Sequence, residues 1–241
     1  MTPRLAPLEL DSSSYPEWRD GILAAQATGE DLPGETRTYA GYPRFRLESV
    51  RPRRWGSLDR VLIGRRSVRE LENVIPSRRV LSRLLQTSHG ITGPLSSGPV
   101  PSAGGFQALE LYLINFEASW LPTGLFHYDR AGHYLSQVVP GALRAEWRQR
   151  IPSLDLIQGG SLVWVLVGDA ERVARKYGER SLRFLLQESG HLMQNLCLVS
   201  ASLGLVTVPL GGYLERDIAR QFKLLPSDQV LYVGLCGGLK S

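Results

Sequence analysis

The sequence predicts an α+β fold, and three observations carry that prediction. Helical and strand patterns interleave irregularly, with long loops, instead of repeating as βαβ units. The segment "GSLVWVLVGD" is an unbroken apolar run of strand length, as a strand covered on both faces requires. Ser181–Leu203 is the longest helical pattern, amphipathic in its first turns and apolar nearly all round in its second half. Such a helix belongs in a large core or at a subunit interface.

The elements follow in chain order. Residues 1–50 are rich in Pro, Gly, Ser and Thr, with one helix-compatible stretch around Trp18–Ala27, and read as an extension or arm ahead of a domain over 51–241. "SLDRVLIGRRSVREL" reads as a helix ending near Gly64, then a basic turn. In "SRRVLSRLLQTSHGI", Val80, Leu81, Leu84 and Leu85 form a helical stripe behind Ser77, a residue suited to capping the first turn. "GPLSSGPVPSAGGF" is a loop, and "LELYLINF" after it is a strand. "GLFHYDRAGHYLSQV" reads as a hairpin turning at Asp129–Gly132, and "GALRAEWRQR" as a helix. After the long helix, "GLVTVPLGGY" leaves through a glycine turn as a strand. A short helix near Glu215–Phe222 and a last strand, "QVLYVGLCGG", complete the chain.

Composition removes several classes of function. The chain has 241 residues, 43% hydrophobic and 21% charged, enough for a sizeable core and unlike a disordered chain. No basic n-region with an apolar h-region opens the sequence, and no run of about 18 uncharged apolar residues suggests a membrane span. Two cysteines make no disulfide framework or zinc spacing, so the expected home is a reducing cytoplasm. The net charge of +5 is modest and spread out. Basic and aromatic residues alternate over Arg44–Arg54, but no recognition helix or RNA-binding strand accompanies them, so no nucleic-acid partner is expected.

Four segments have the residue types of a site. Arg65, Arg66, Ser67 and Arg69 in "GRRSVRE" set forked guanidinium groups and a hydroxyl close together, which suits a terminal phosphate as well as a solvated basic turn. It is not a P-loop, because Gly-Lys-Ser/Thr is missing. "PSAGG" and "PLGG" bring small residues and prolines that allow backbone to approach a flat ligand, or serve simply as turns. "RKYGERS" pairs Lys176 with Tyr177 before the long helix, either as a wet helix entrance or as an amine and a phenol offered to a substrate. Glu188-x-x-His191 has the spacing of di-metal bundles, but the further carboxylates those sites need are absent, so no metal is expected and His191 reads as structural. His89, His127 and His133 match no hydrolase arrangement.

In this order, "RRSVRE", "PSAGGFQALELYLI", "GLFHYD", "KYGERSLRFLLQESGHLMQNLCLVSASLGL" and "TVPLGGY" resemble the nitroreductase-like flavoprotein superfamily over about residues 58–241. The likeness is to its SagB-type branch, the FMN-dependent dehydrogenases of thiazole- and oxazole-containing peptides. The resemblance implies a mixed, mainly antiparallel sheet flanked by helices, with the long central helix at a homodimer interface. It implies FMN, with Arg65, Arg66, Ser67 and Arg69 at the phosphate and ribityl chain. Pro101, Ser102 and Ala103 would lie in the loop a partner subunit lays against the isoalloxazine. Pro209, Leu210, Gly211 and Gly212 would form the turn near its N5 side, and Lys240 a terminal basic residue for the phosphate. Lys176 and Tyr177 would be the dyad that takes a proton from the heterocycle. The function implied is oxidation of peptide or carrier-bound thiazoline or oxazoline rings to azoles, with a cyclodehydratase complex as an associated partner. Two alternatives stand beside it: an NAD(P)H-dependent nitro or quinone reductase, and a flavin-free structural subunit of a peptide-modifying complex. The end "GLCGGLKS" and the first 50 residues depart from the family pattern.

Overall fold

The structure, a computed structural model, describes residues 38–48 and 58–240. The helix expected around Trp18–Ala27 lies outside them. Among the described residues eight strands form one sheet: β1 (Arg44–Arg46), β2 (Leu71–Glu72), β3 (Leu109–Asn115), β4 (Gly124–Asp129), β5 (Tyr134–Pro140), β6 (Leu162–Asp169), β7 (Leu205–Leu210) and β8 (Asp228–Leu239). They lie in the order β1-β5-β4-β3-β6-β8-β2, with β7 also paired to β8. All the ladders between these strands are antiparallel. The mixed character comes down to one isolated parallel bridge, Glu70 with Gln158.

Among the described residues six α-helices cover the sheet: α1 (Leu58–Gly64), α2 (Arg78–His89), α3 (Arg144–Trp147), α4 (Ala170–Tyr177), α5 (Ser181–Ser202) and α6 (Glu215–Phe222). The strand periodicity explains the layering. In β3, Leu109, Leu111 and Leu113 face one core, and Tyr112 and Ile114 face the other. In β6, Leu162, Trp164 and Leu166 separate in the same way from Val163, Val165 and Val167. Alternation in a strand sends successive side chains to opposite faces, and here both faces are apolar because both are covered. Leu81, Leu84 and Leu85 of α2 and Leu185, Leu192, Met193 and Leu196 of α5 close the first core. Trp147 of α3 and Ile218 and Phe222 of α6 close the second.

Several local expectations hold. Ser77 caps α2, its hydroxyl accepting the Val80 N–H at 3.4 Å, and β4 and β5 form the hairpin. Three differ. "GALRAEWRQR" yields only the four-residue α3, because the Arg144 guanidinium turns back to the carbonyls of Gly160, Ile157 and Leu154 and fastens the next loop. The extension read as an arm contributes β1, which pairs with β5, and buries Leu47. α4, unanticipated, is a polar helix with one buried residue, Val173, and is capped by Asp169, which accepts the Arg172 N–H at 3.1 Å.

The buried ionisable groups give a pH prediction. Burial pushes the Cys197 thiol up to about 11 and the Cys236 thiol up to about 12, and Tyr213 up to about 12. Burial raises Tyr128 further still. The folded chain therefore keeps protons that the unfolded chain loses above its ordinary values of 9.0 for thiols and 10.0 for phenols. Stability present below pH about 9 is lost as pH rises through the folded values. Just below the thiol value, between about pH 7.5 and 8.5, the melting temperature should be level, and it should fall beyond that, with a shallower fall in Cys236→Ala. A level or rising profile to pH 11 would contradict this burial.

Candidate active site

α5, 22 residues long, packs against α1, α4 and β7, the elements that carry or adjoin most of the candidate segments. At its N-terminal end α4 delivers Lys176 and Tyr177. The Tyr177 ring packs at 4.7 Å between centroids on Phe184 of α5 and meets Phe106 edge-on at 6.2 Å. Lys176 Nζ lies 5.7 Å from the centroids of both the Phe106 and Tyr177 rings. Tyr177 is half-buried, and its phenol is held above the ordinary value, first by that burial and then by the nearby Glu188 carboxylate. It is a neutral hydroxyl at neutral pH.

The "PSAGG" loop meets this pair directly. Ala103–Gly105 forms a single 3-10 turn in which Gly104 adopts a left-handed φ of 60°. A Cβ added at Gly104 would stand 2.8 Å from the Tyr177 hydroxyl oxygen, so a glycine is required both for the conformation and for the approach. Pro101 is exposed; Ser102 and Ala103 are half-buried against α5. The structure thus brings Pro101, Ser102, Ala103, Lys176 and Tyr177 to one place.

The arginine segment lies near the other half of α5. Arg65 stands close enough to Cys197 to oppose the burial that raises that thiol, and its Nη1 donates to the Ser67 hydroxyl at 3.4 Å. Arg66 instead donates to the carbonyls of Ile63 and Arg65 and so closes the end of α1. Arg69 is exposed, and its carbonyl accepts the Gln158 N–H at 2.8 Å. Lys240 joins this group: β2 and β8 pair beside it, and its ammonium reaches Glu70 at 2.8 Å. Arg65, Ser67, Arg69 and Lys240 are cations and a hydroxyl of the kind that a phosphate group binds. Glu70 already answers Lys240.

Pro209 and Leu210 end β7, and Gly211 and Gly212 form the following turn. Gly212 is locked to Ser153, donating its N–H to the Ser153 hydroxyl at 2.9 Å and accepting the Ser153 N–H at 3.2 Å. Gly211 is exposed, and a Cβ there would meet nothing within 4 Å, which leaves an open stretch of backbone. Beside this turn, a groove of about 460 Å³ runs between the start of α5 and α6, lined by Leu182, Leu186, Tyr213, Ala219 and Val230 among others.

Along α5, Glu188 marks the level of the "PSAGG" loop and Cys197 the level of Arg65. Nine residues separate these levels, about 14 Å at the rise of an α-helix. His191 is exposed on the outer side of the helix while Glu188 is turned inward, so the spacing that suggested a metal pair serves another purpose. Among the described residues no group of three or more His, Cys, Asp or Glu could hold a metal ion. No helix among them is long and apolar enough to cross a membrane.

This architecture and the order of its segments define a class. The chain matches the nitroreductase family over residues 62–238 and belongs to that family, whose members are oxidoreductases that typically bind flavin. It is 31% identical over 167 residues to MJ1384 of Methanocaldococcus jannaschii, a protein named as a nitroreductase, covering 69% of this chain and 84% of that one. It is 26% identical over 163 residues to the Escherichia coli microcin B17-processing protein McbC, covering 61% of this chain and 57% of McbC. Among solved structures, a Ralstonia eutropha protein named as a nitroreductase superposes with a TM-score of 0.72 at 21% identity, covering 88% of this chain and 97% of that one. A chain of the E. coli microcin synthetase McbBCD complex, with truncated pro-MccB17 bound, superposes at 0.63 and 22% identity, covering 91% of this chain and 82% of that one.

Proposed function

We propose that this chain is an FMN-dependent dehydrogenase that oxidises thiazoline or oxazoline rings of a peptide or carrier-bound substrate to azoles. The observation that carries the reading is the placement of the Lys176 amine and the Tyr177 hydroxyl against Gly104 and Phe106 of the small-residue loop. A nitro or quinone reductase takes its reducing equivalents from a nicotinamide and needs no residue to remove a proton from carbon, whereas forming an azole requires one. The likeness to McbC, a microcin B17-processing protein, and to a chain of the McbBCD synthetase complex supports a peptide substrate and a peptide-modifying complex as partner.

Arg65, Ser67 and Arg69 would hold the flavin phosphate, and the Pro209–Gly212 turn would border the ring. Bound FMN supplies the two-electron acceptor for the oxidation. Tyr177 and Lys176 handle the proton: one of them takes it from the ring carbon while the other orients the heterocycle. The partly buried neutral phenol is suited to donating a hydrogen bond to the heterocycle.

A homodimer completes the site in this reading. Within one chain the arginine segment and the dyad occupy different levels of α5, and a two-fold partner would bring one chain's arginines to the other's loop. Leu182 and Leu186 stand 44% and 50% exposed on the outer face of α5, as a helix awaiting a partner requires. Leu186→Arg should therefore convert a dimer into monomers of 26.8 kDa in sedimentation and release the flavin. A monomeric wild type that retains FMN would contradict the shared site.

The alternative reduction of nitro groups or quinones draws on the likeness to MJ1384. Side-by-side steady-state assays separate the two. The proposal expects oxidation of a cyclised azoline peptide with O2 as acceptor and negligible NADPH consumption with a quinone. The opposite pattern selects the reductase, and a colourless protein that FMN does not reconstitute selects a flavin-free subunit.

A further inference from the structure

Glu188 lies in the second turn of α5 and is 4% exposed. Burying a carboxylate costs several kcal/mol unless hydrogen bonds and opposite charge answer it. Here Oε1 accepts the Ala103 N–H at 2.6 Å, and the Ser102 hydroxyl lies near enough to the same carboxylate to favour its charged form. The ionisable groups facing it are the Arg130 guanidinium at the end of β4 and the Tyr177 phenol at the end of α4. Arg130 is itself anchored, donating to the His89 carbonyl at 2.6 Å and to the Gln107 side-chain carbonyl at 2.9 Å.

Gln107 closes the arrangement. It adopts a left-handed φ of 49°, costly for a residue with a side chain. Three contacts hold it there: its N–H donates to the Ser102 hydroxyl at 2.9 Å, its carbonyl accepts from Arg172 of α4 at 3.4 Å, and its side chain meets Arg130. The loop is thus fastened to α5 through Glu188 and to the dyad's own helix through Arg172, and Gly104 is pressed to the Tyr177 hydroxyl between these points.

We infer that Glu188 is a positioning residue for the Lys176–Tyr177 pair: by holding the Ala103 N–H it keeps the Ser102–Gly105 turn against the phenol. Its role in turnover rests on the proposed azoline oxidation; its hold on the loop does not.

The test is hydrogen exchange of the full-length protein, read on the peptide covering Ser102–Gln107. Glu188→Ala should speed exchange there on the order of tenfold or more, the scale of a lost hydrogen bond to a charged group, while α2 and β6 keep their protection. Glu188→Gln keeps a carbonyl acceptor and should stay within about threefold of the parent. Ala103→Pro deletes the donor instead. It suits a position that opens the turn and follows an extended residue, Ser102 at φ −126° and ψ 133°. It should match Glu188→Ala, and the double variant should be no faster than either single one. If Glu188→Ala does not fold, Ala103→Pro and Glu188→Gln decide the question between them. Unchanged exchange in the variants that delete the bond, or additive effects in the double variant, would overturn the inference. So would a loop that opens while azoline turnover stays at the parent rate. Exchange needs no substrate, so a protein inert toward azolines sinks the proposed reaction and leaves the loop anchor visible on its own.

Discussion

Lys176→Ala and Tyr177→Phe should each lower azoline oxidation by tenfold or more while the protein stays yellow, the range expected on loss of a general acid or base. The split between chemistry and binding follows from position. Neither residue belongs to the arginine segment that would hold the phosphate, and Lys176 contacts the rings of Phe106 and Tyr177. Tyr177→Phe keeps the ring that packs on Phe184 and removes only the hydroxyl that lies at Gly104, so the fold should be unaffected. Flavin content by absorbance and turnover by peptide mass check the two halves separately. Full activity in both variants would remove the dyad from the mechanism and return the pair to a solvated helix end.

The second large effect is expected at Arg65. Arg65→Ala should weaken FMN binding by about ten- to a hundredfold, the scale of one lost charge-assisted hydrogen bond. Arg66→Ala should cost less, because the Arg66 guanidinium is committed to the carbonyls of Ile63 and Arg65. Lys240→Ala should cost less as well, because Glu70 already shares its charge and both groups face water. Titrating apoprotein with FMN and following the loss of flavin fluorescence measures all three. Equal losses at Arg65, Arg66 and Lys240 would mean that the segment acts through general charge and not through a formed phosphate site.

The parts of the fold that read directly from the sequence are those whose signal is local. β6 is an unbroken apolar run, α2 has its stripe and its Ser77 cap, and α5 has a pattern long enough to leave no rival. α4 was obscured because eight mostly polar residues with one buried valine show no stripe, although Asp169 was available as a cap. β1 is three residues in a Pro- and Gly-rich stretch, and only its partner β5, some ninety positions later, makes it a strand. The arginine, proline and glycine segments of the site were visible as residue types in order. The meaning of Glu188 was not. Its spacing to His191 has the form of a di-metal motif without the further carboxylates such a site needs, while its actual partner, the Ala103 N–H, lies 85 residues away and carries no mark in the sequence. Backbone donors that serve a distant carboxylate cannot be read from side-chain chemistry.

The most direct test of the proposed chemistry is a single turnover without oxygen. Purified holoenzyme is mixed with a stoichiometric azoline peptide while the visible flavin band and the peptide mass are followed together. The account predicts bleaching of the band in step with the loss of about two hydrogens per ring, and a slowing of both by at least tenfold in Lys176→Ala or Tyr177→Phe. A band that stays oxidised with the peptide mass unchanged, yet bleaches on adding NADPH, would contradict it.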